Sequence, residues 1–171
     1  MSITTFDNRA IAALLETFKN HLVCWMVSRA IGSLIYIEMG RHWSYRLKSG
    51  DKISVGSTSL SLEADDWTIW HGSQRVADAA SVSEDDIGRI SALFSGQKLA
   101  SLKFSRQYRK CHIAFSNELQ ITLPAGADDD DLCVLHLPDG TIIGCNATSG
   151  FQSDGSKSEE KAAAYALETT L

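Results

Sequence analysis

The stretch SLIYIEM, residues 33–39, alternates with a period of two. Successive side chains on a strand point to opposite faces, so Ile35, Ile37 and Met39 share one face. Leu34, Tyr36 and Glu38 share the other. The wholly apolar set is expected to face a core. Working outward, segments of the same kind follow at residues 43–48, 52–55, 59–64 and 67–71. Between them lie Ser49-Gly50-Asp51, Gly56-Ser57 and Asp65-Asp66, which are turn-forming residues. Gaps this short suit antiparallel meanders, since parallel strands need long crossovers.

Upstream, Ile11, Leu14, Leu15, Phe18 and Leu22 recur at helical spacing, with Thr5 or Asp7 placed to cap the start. Residues 22–28 either extend that helix or open a strand, and the alternation of Val23, Trp25 and Val27 leans toward strand. Downstream, Ser83 and Asp86 form a capping box with the shorter acid in place of Glu. Ile87, Ile90, Leu93 and Phe94 give that helix its buried stripe, and Gly96 suits its C-terminal end. Strand patterns resume at residues 99–105, 111–116, 118–123, 132–137 and 141–146. Asn117 and Asp139-Gly140 mark turns between them. Residues 152–157 read as a flexible link, so 152–171 are expected to form a flexible or short helical tail.

Residues 32–81 and 96–149 echo each other. Each runs from a glycine through a strand, an LxL or LxI strand, an acidic turn, an apolar strand and a glycine-containing turn to a last strand. The expectation is one α+β, mainly β domain over 1–171. Two similar antiparallel meander halves would pack together, with an N-terminal helix and a connecting helix.

A chain of 171 residues with 44% hydrophobic and 22% charged residues can bury a core without metal or disulfide support. The net charge of −5 disfavours nucleic acid and favours a basic partner. Lys103, Arg106, Tyr108, Arg109 and Lys110 read as a solvated hairpin tip. No apolar run is long enough to span a membrane, and the start MSITTFDNRAIAALL has no signal-peptide pattern. Cys24, Cys111, Cys133 and Cys145 form no CxxC pair, so reduced thiols in the cytoplasm are expected.

The five histidines show no metal-ligand spacing, and no nucleophile motif is present, so no catalytic residue, metal or cofactor is assigned. Cys111 and His112 are neighbours on one strand and point apart, which prevents a dyad. Two features stand out on the surface. One is the run Asp128, Asp129, Asp130 and Asp131, matched by Asp65 and Asp66 in the first half. The other is aromatic: Trp67 and Ile69 share a face, which turns Trp70 to the opposite one, and Trp43 and Tyr45 sit on a neighbouring strand.

With GSLIYIEMG, DDWTIW, SVSEDDIGRISALFSGQKL and IAFSNELQITL in view, the chain resembles a group of small bacterial proteins. In these a GSxIxxEFG-like strand is followed by a Trp-containing strand. A linker helix leading to LxGQ and a strand reading LxxxFSNxxxL come next. The resemblance spans about residues 22–151. Such proteins look like immunity proteins of toxin–immunity competition systems, which bind one toxin and block it. The shared motifs are structural and transmit no functional residues. The aromatic strand usual near the end appears here as residues 132–137 without a Trp.

The resemblance and the acidic surface together imply a non-enzymatic module that binds a basic toxin domain. Asp65, Asp66 and Asp128, Asp129, Asp130 and Asp131 would steer it, and Trp70, Trp43 or Tyr45 would anchor it. Two other readings stand beside this. One is a ligand-binding protein or enzyme with a pocket lined by Cys111, His112 and His136. The other is a structural homodimer joined through edge strands or the N-terminal helix.

Overall fold

The computed structural model describes residues 2–126 and 130–169. A short strand β1 (Thr4–Phe6) leads into helix α1 (Asn8–Thr17). Asp7 caps the helix by accepting the Ala10 N–H at 2.7 Å, and Ile11 and Leu15 form its buried stripe. A single 3-10 turn (Lys19–His21) delivers the chain to β2 (Cys24–Arg29), so the alternation after Leu22 resolves as strand.

β3 (Ile35–Arg46) and β4 (Lys52–Leu62) form one long hairpin. Segments that read as four strands are therefore two, and Gly56-Ser57 lies inside β4 instead of in a turn. The cause is a bulge in β3 between Met39 and His42. Gly40 occupies it at a φ of +78°, and a Cβ on Gly56 opposite would overlap the Met39 carbonyl oxygen. The glycines mark a close approach of two backbones, which sequence alone does not distinguish from a loop.

The chain continues through β5 (Thr68–His71), β6 (Gln74–Asp78) and α2 (Glu84–Phe94). Ser83 caps α2, and both halves of the capping box with Asp86 are made, as the sequence predicts. β7 (Leu99–Ser105), β8 (Lys110–Phe115) and β9 (Leu119–Pro124) follow. β10 (Asp131–His136), β11 (Ile142–Asn146), β12 (Gly150–Ser153) and α3 (Glu159–Thr169) complete the fold. The expected link is shorter than residues 152–157, because Gln152 and Ser153 belong to β12, which is paired on both sides. Residues 154–157 lead from it to a helix over the tail. α3 is docked through Lys161, which is buried.

The fold is α+β and mainly β, with two antiparallel sheets. One has seven strands in the order β1-β12-β11-β10-β4-β3-β2. The other has five, in the order β6-β5-β9-β8-β7. The halves interleave. β2–β4 lie in the large sheet before the chain crosses to the small one for β5 and β6. β7–β9 lie in the small sheet before the chain crosses back for β10–β12. Consequently β4 pairs with β10 and β5 pairs with β9, and each sheet contains strands of both halves.

Between the sheets, Ile35, Ile37, Met39, Leu60, Leu62 and Leu135 meet Ile69, Ile113 and Ile121. Each such side chain contributes about 1.5–3 kcal/mol of transfer free energy. Trp67 is fully buried and donates its indole N–H to the Ser33 carbonyl at 2.8 Å. No described helix is long and apolar enough to cross a membrane.

Candidate functional site

The strand exchange decides where the acidic residues go. Because β4 adjoins β10 and β5 adjoins β9, the crossovers β4-to-β5 and β9-to-β10 emerge at one end of the sandwich, side by side. The Glu63 and Ala64 N–H groups both donate to the Leu132 carbonyl, at 2.9 and 3.0 Å, which locks the first crossover to the second. Glu63, Asp65 and Asp66 thereby meet Asp130 and Asp131 around a pocket of about 170 Å³ that Pro124 and Gly126 also line. Glu63, Asp65, Asp66 and Asp130 are exposed. Five acidic residues line it from segments far apart in the chain. The Glu63 carboxylate turns back to accept from the Ser61 hydroxyl at 2.7 Å, and the Asp131 carboxylate lies over Gly144, which leaves Asp65, Asp66 and Asp130 at the rim. Asp128 and Asp129 lie outside the described residues.

The aromatics divide. Trp70 projects from the outer face of the small sheet, half-buried, with its indole N–H on the Thr122 hydroxyl at 3.3 Å. It sits on the strand that the first acidic crossover feeds. Trp43 and Tyr45 pair with Val55 and Ile53. Those positions lie about 23 and 30 Å along β4 from Leu62, at ~3.3 Å per residue. They are at the far end of the hairpin, where the Trp43 ring meets His21 edge-on at 6.3 Å. Trp70 thus lies outside the acidic pocket, four residues along the chain from Asp66, and Trp43 and Tyr45 lie farther off on the β3–β4 hairpin.

Cys111, His112 and His136 line no common pocket. Cys111 faces the sandwich interior. His112 points the other way and hydrogen-bonds Gln120 at 2.7 Å on the open face of the small sheet. His136 lies on the outer face of the large sheet beside Ser59. Strand alternation puts the first two back to back, and the third belongs to the other sheet.

A second polar cluster lies under α3. Glu38 and Lys161 are only 8% and 6% exposed. The Lys161 ammonium donates to the Gly56 carbonyl at 2.8 Å and to Ser59 Oγ at 2.9 Å. Glu38 accepts from Ser59 Oγ at 2.7 Å and from the Gly56 N–H at 2.8 Å. Nearby, Ser57 Oγ is 2.7 Å from His21 Nδ1, and His21 Nε2 is 3.8 Å from Glu168, which also binds Arg41 at 2.6 Å.

Ser57, His21 and Glu168 have the composition of a nucleophile–base–orienter chain. The surroundings of the hydroxyl give it another task. Ser57 is 0% exposed, and its Oγ accepts the Arg41 N–H at 2.9 Å. It also fills the space that a Cβ on Gly40 would occupy. No acyl carbonyl fits beside it, so the group secures the bulge and the docked helix. Sequence reading missed this cluster. Its one trace is the alternation of Ser57, Ser59 and Ser61 on β4, and its cation comes from an Ala-rich tail.

The histidines make this seat acid-sensitive. Burial holds His21 below the usual histidine range, Glu168 opposes this and Arg41 adds to it. Burial and then Lys161 do the same to His136, against Glu63. The unfolded chain takes up protons near the ordinary value of 6.5 while the folded one resists. Stability is therefore present above that value and declines as pH falls below it. The melting temperature is expected to drop between about pH 7 and pH 5.5. In a His21→Gln/His136→Gln variant that slope is expected to flatten.

Comparison of the chain with protein-family models, with curated proteins and with solved structures finds no match.

Proposed function

We propose that the protein is a non-enzymatic protein-binding module, an immunity-type inhibitor that occludes a basic toxin domain in the bacterial cytoplasm. The observation that carries this reading is the meeting of Glu63, Asp65, Asp66, Asp130 and Asp131 at the paired crossovers. A net charge of −5 concentrated in part on one rim attracts a cationic surface over a Debye length of about 8 Å. Steering of this kind raises association rates by about 10- to 1000-fold. The rim is held in shape by the backbone bonds to Leu132, so little ordering cost is added on binding. Trp70, four residues beyond Asp66, supplies an aromatic contact on the adjoining face.

The test is co-expression with the products of the genes adjacent to its own. A stoichiometric complex with a basic protein whose toxicity it suppresses is expected. The Asp65→Lys/Asp130→Lys variant, which keeps the fold, should lose at least about 100-fold in affinity, and binding should weaken steeply with salt. If no neighbouring product forms a complex, or if the charge-reversed variant binds as well as wild type, the acidic rim is not the interface.

A further inference from the structure

Three of the four cysteines converge at one point of the interior. Cys133 on β10 and Cys145 on β11 are directly opposed across an antiparallel pair, and Cys111 on β8 reaches them from the facing sheet. All three sulfurs lie within 4.8 Å of one another, with Cys111 and Cys133 at 3.9 Å. None is more than 1% exposed. From this geometry we infer that Cys111, Cys133 and Cys145 form a binding site for one soft d10 metal ion, of the Cu(I) class, that joins the two sheets at their centre.

Metal–thiolate bonds of about 2.3 Å require sulfurs about 4 Å apart around a trigonal ion. The observed spacing brackets that value, so an ion at the centroid needs shifts of only a few tenths of an ångström. A disulfide fits less well. Bonded sulfurs stand about 2.05 Å apart, and three thiols leave one unpaired. The donors also select the ion. Among the described residues no His, Asp or Glu joins the three sulfurs. An all-thiolate, three-donor set suits Cu(I), while a structural zinc site takes four ligands. Cys24, also buried, lies outside the group and provides an internal control.

Since none of the sulfurs reaches solvent, the ion enters while the sheets are still apart. Each thiol that becomes a thiolate ligand releases its proton to solvent as the metal–sulfur bond forms. The experiment is anaerobic refolding of the reduced full-length chain with Cu(I), and in parallel with Cd(II) as a spectroscopic stand-in for zinc. The expected result with Cu(I) is about one ion per chain and a thiolate-to-metal charge-transfer band. The melting temperature should rise by about 10 °C. Cys133→Ser and Cys145→Ser should lose at least about 100-fold in affinity, more than removal of an outer-sphere partner costs. Cys24→Ser should bind as wild type does.

X-ray absorption on the loaded wild type should show three sulfur neighbours, which tests the site even if a serine variant fails to fold. Uptake of Cd(II) in preference to Cu(I) would overturn the assignment to the Cu(I) class. The inference is overturned if refolded wild type takes up neither ion. It is also overturned if Cys133→Ser binds as much as wild type, or if nitrogen and oxygen donors dominate the absorption spectrum.

Discussion

Replacing Gly56 with valine is expected to cost about 4 kcal/mol or more, enough to leave much of the protein unfolded given usual stabilities of about 5–15 kcal/mol. The added Cβ would overlap the Met39 carbonyl oxygen and come within 2.6 Å of the Met39 nitrogen and 2.8 Å of the Thr58 oxygen. All three are backbone atoms of the paired strands, so no side-chain rotation relieves the clash. The β3–β4 pairing would have to open where it also supports Glu38 and Lys161. Gly88→Ala is the contrast. Nothing lies within 4 Å of that position in α2, and alanine there should add about 0.5–1 kcal/mol. Urea titration of the two variants should move the midpoint in opposite directions. A wild-type midpoint for Gly56→Val would mean that the bulge is not as described.

Lys161→Ala is expected to cost about 3 kcal/mol, because it leaves the buried Gly56 carbonyl and Ser59 hydroxyl without their donor and opens a cavity under α3. Glu38 would keep its bonds from Gly56 and Ser59 but lose the only buried cation near it among the described residues. α3 should then come off its seat and become cleavable by protease while both sheets persist. Removing both charges with Lys161→Met/Glu38→Gln should recover part of the loss, which a double-mutant cycle measures.

The same lysine sets an alkaline signature. Burial brings its pKa down from 10.5 to about 8, with Glu38 opposing. Below pH 8 both folded and unfolded chains carry the charge, and its burial opposes folding in full. Above pH 8 the folded state sheds the proton that the unfolded state keeps, so stability rises with pH. The window to read is about pH 8–9. Beyond it, burial of Cys24 pushes its thiol from 9.0 up to about 12 and works in the opposite sense. The rise should be present in wild type and absent in Lys161→Ala.

Strand identity was legible wherever a segment is apolar on one face only. Residues 99–105 are β7 to the residue, and the period-two reading of Ile35, Ile37 and Met39 finds all three in the core. α2 was legible through its capping box, since that signal depends on four consecutive residues. Illegible elements depend on partners. β1 and β12 are short and are defined by pairing with each other and with β11. The seat of α3 needs Lys161 to meet β4 over 100 residues away in sequence. The acidic turns stood out as composition, but their meeting follows from strand order, which no local pattern encodes. The cysteine triad was hidden for the same reason: its members are spaced along three strands of two sheets.

The interleaving of the halves has a consequence for synthesis. When the first half leaves the ribosome, β4 and β5 present open backbone edges whose neighbours, β10 and β9, have not yet been made. The small sheet cannot close before β9 is made, ending at Pro124, nor the large sheet before β12, so folding is non-local and slow, with sticky edges in the meantime. The dependence runs both ways. Two polypeptides divided at the segment before α2 would each be incomplete alone and complementary together, which makes that connector the natural place to split the protein into reassembling parts.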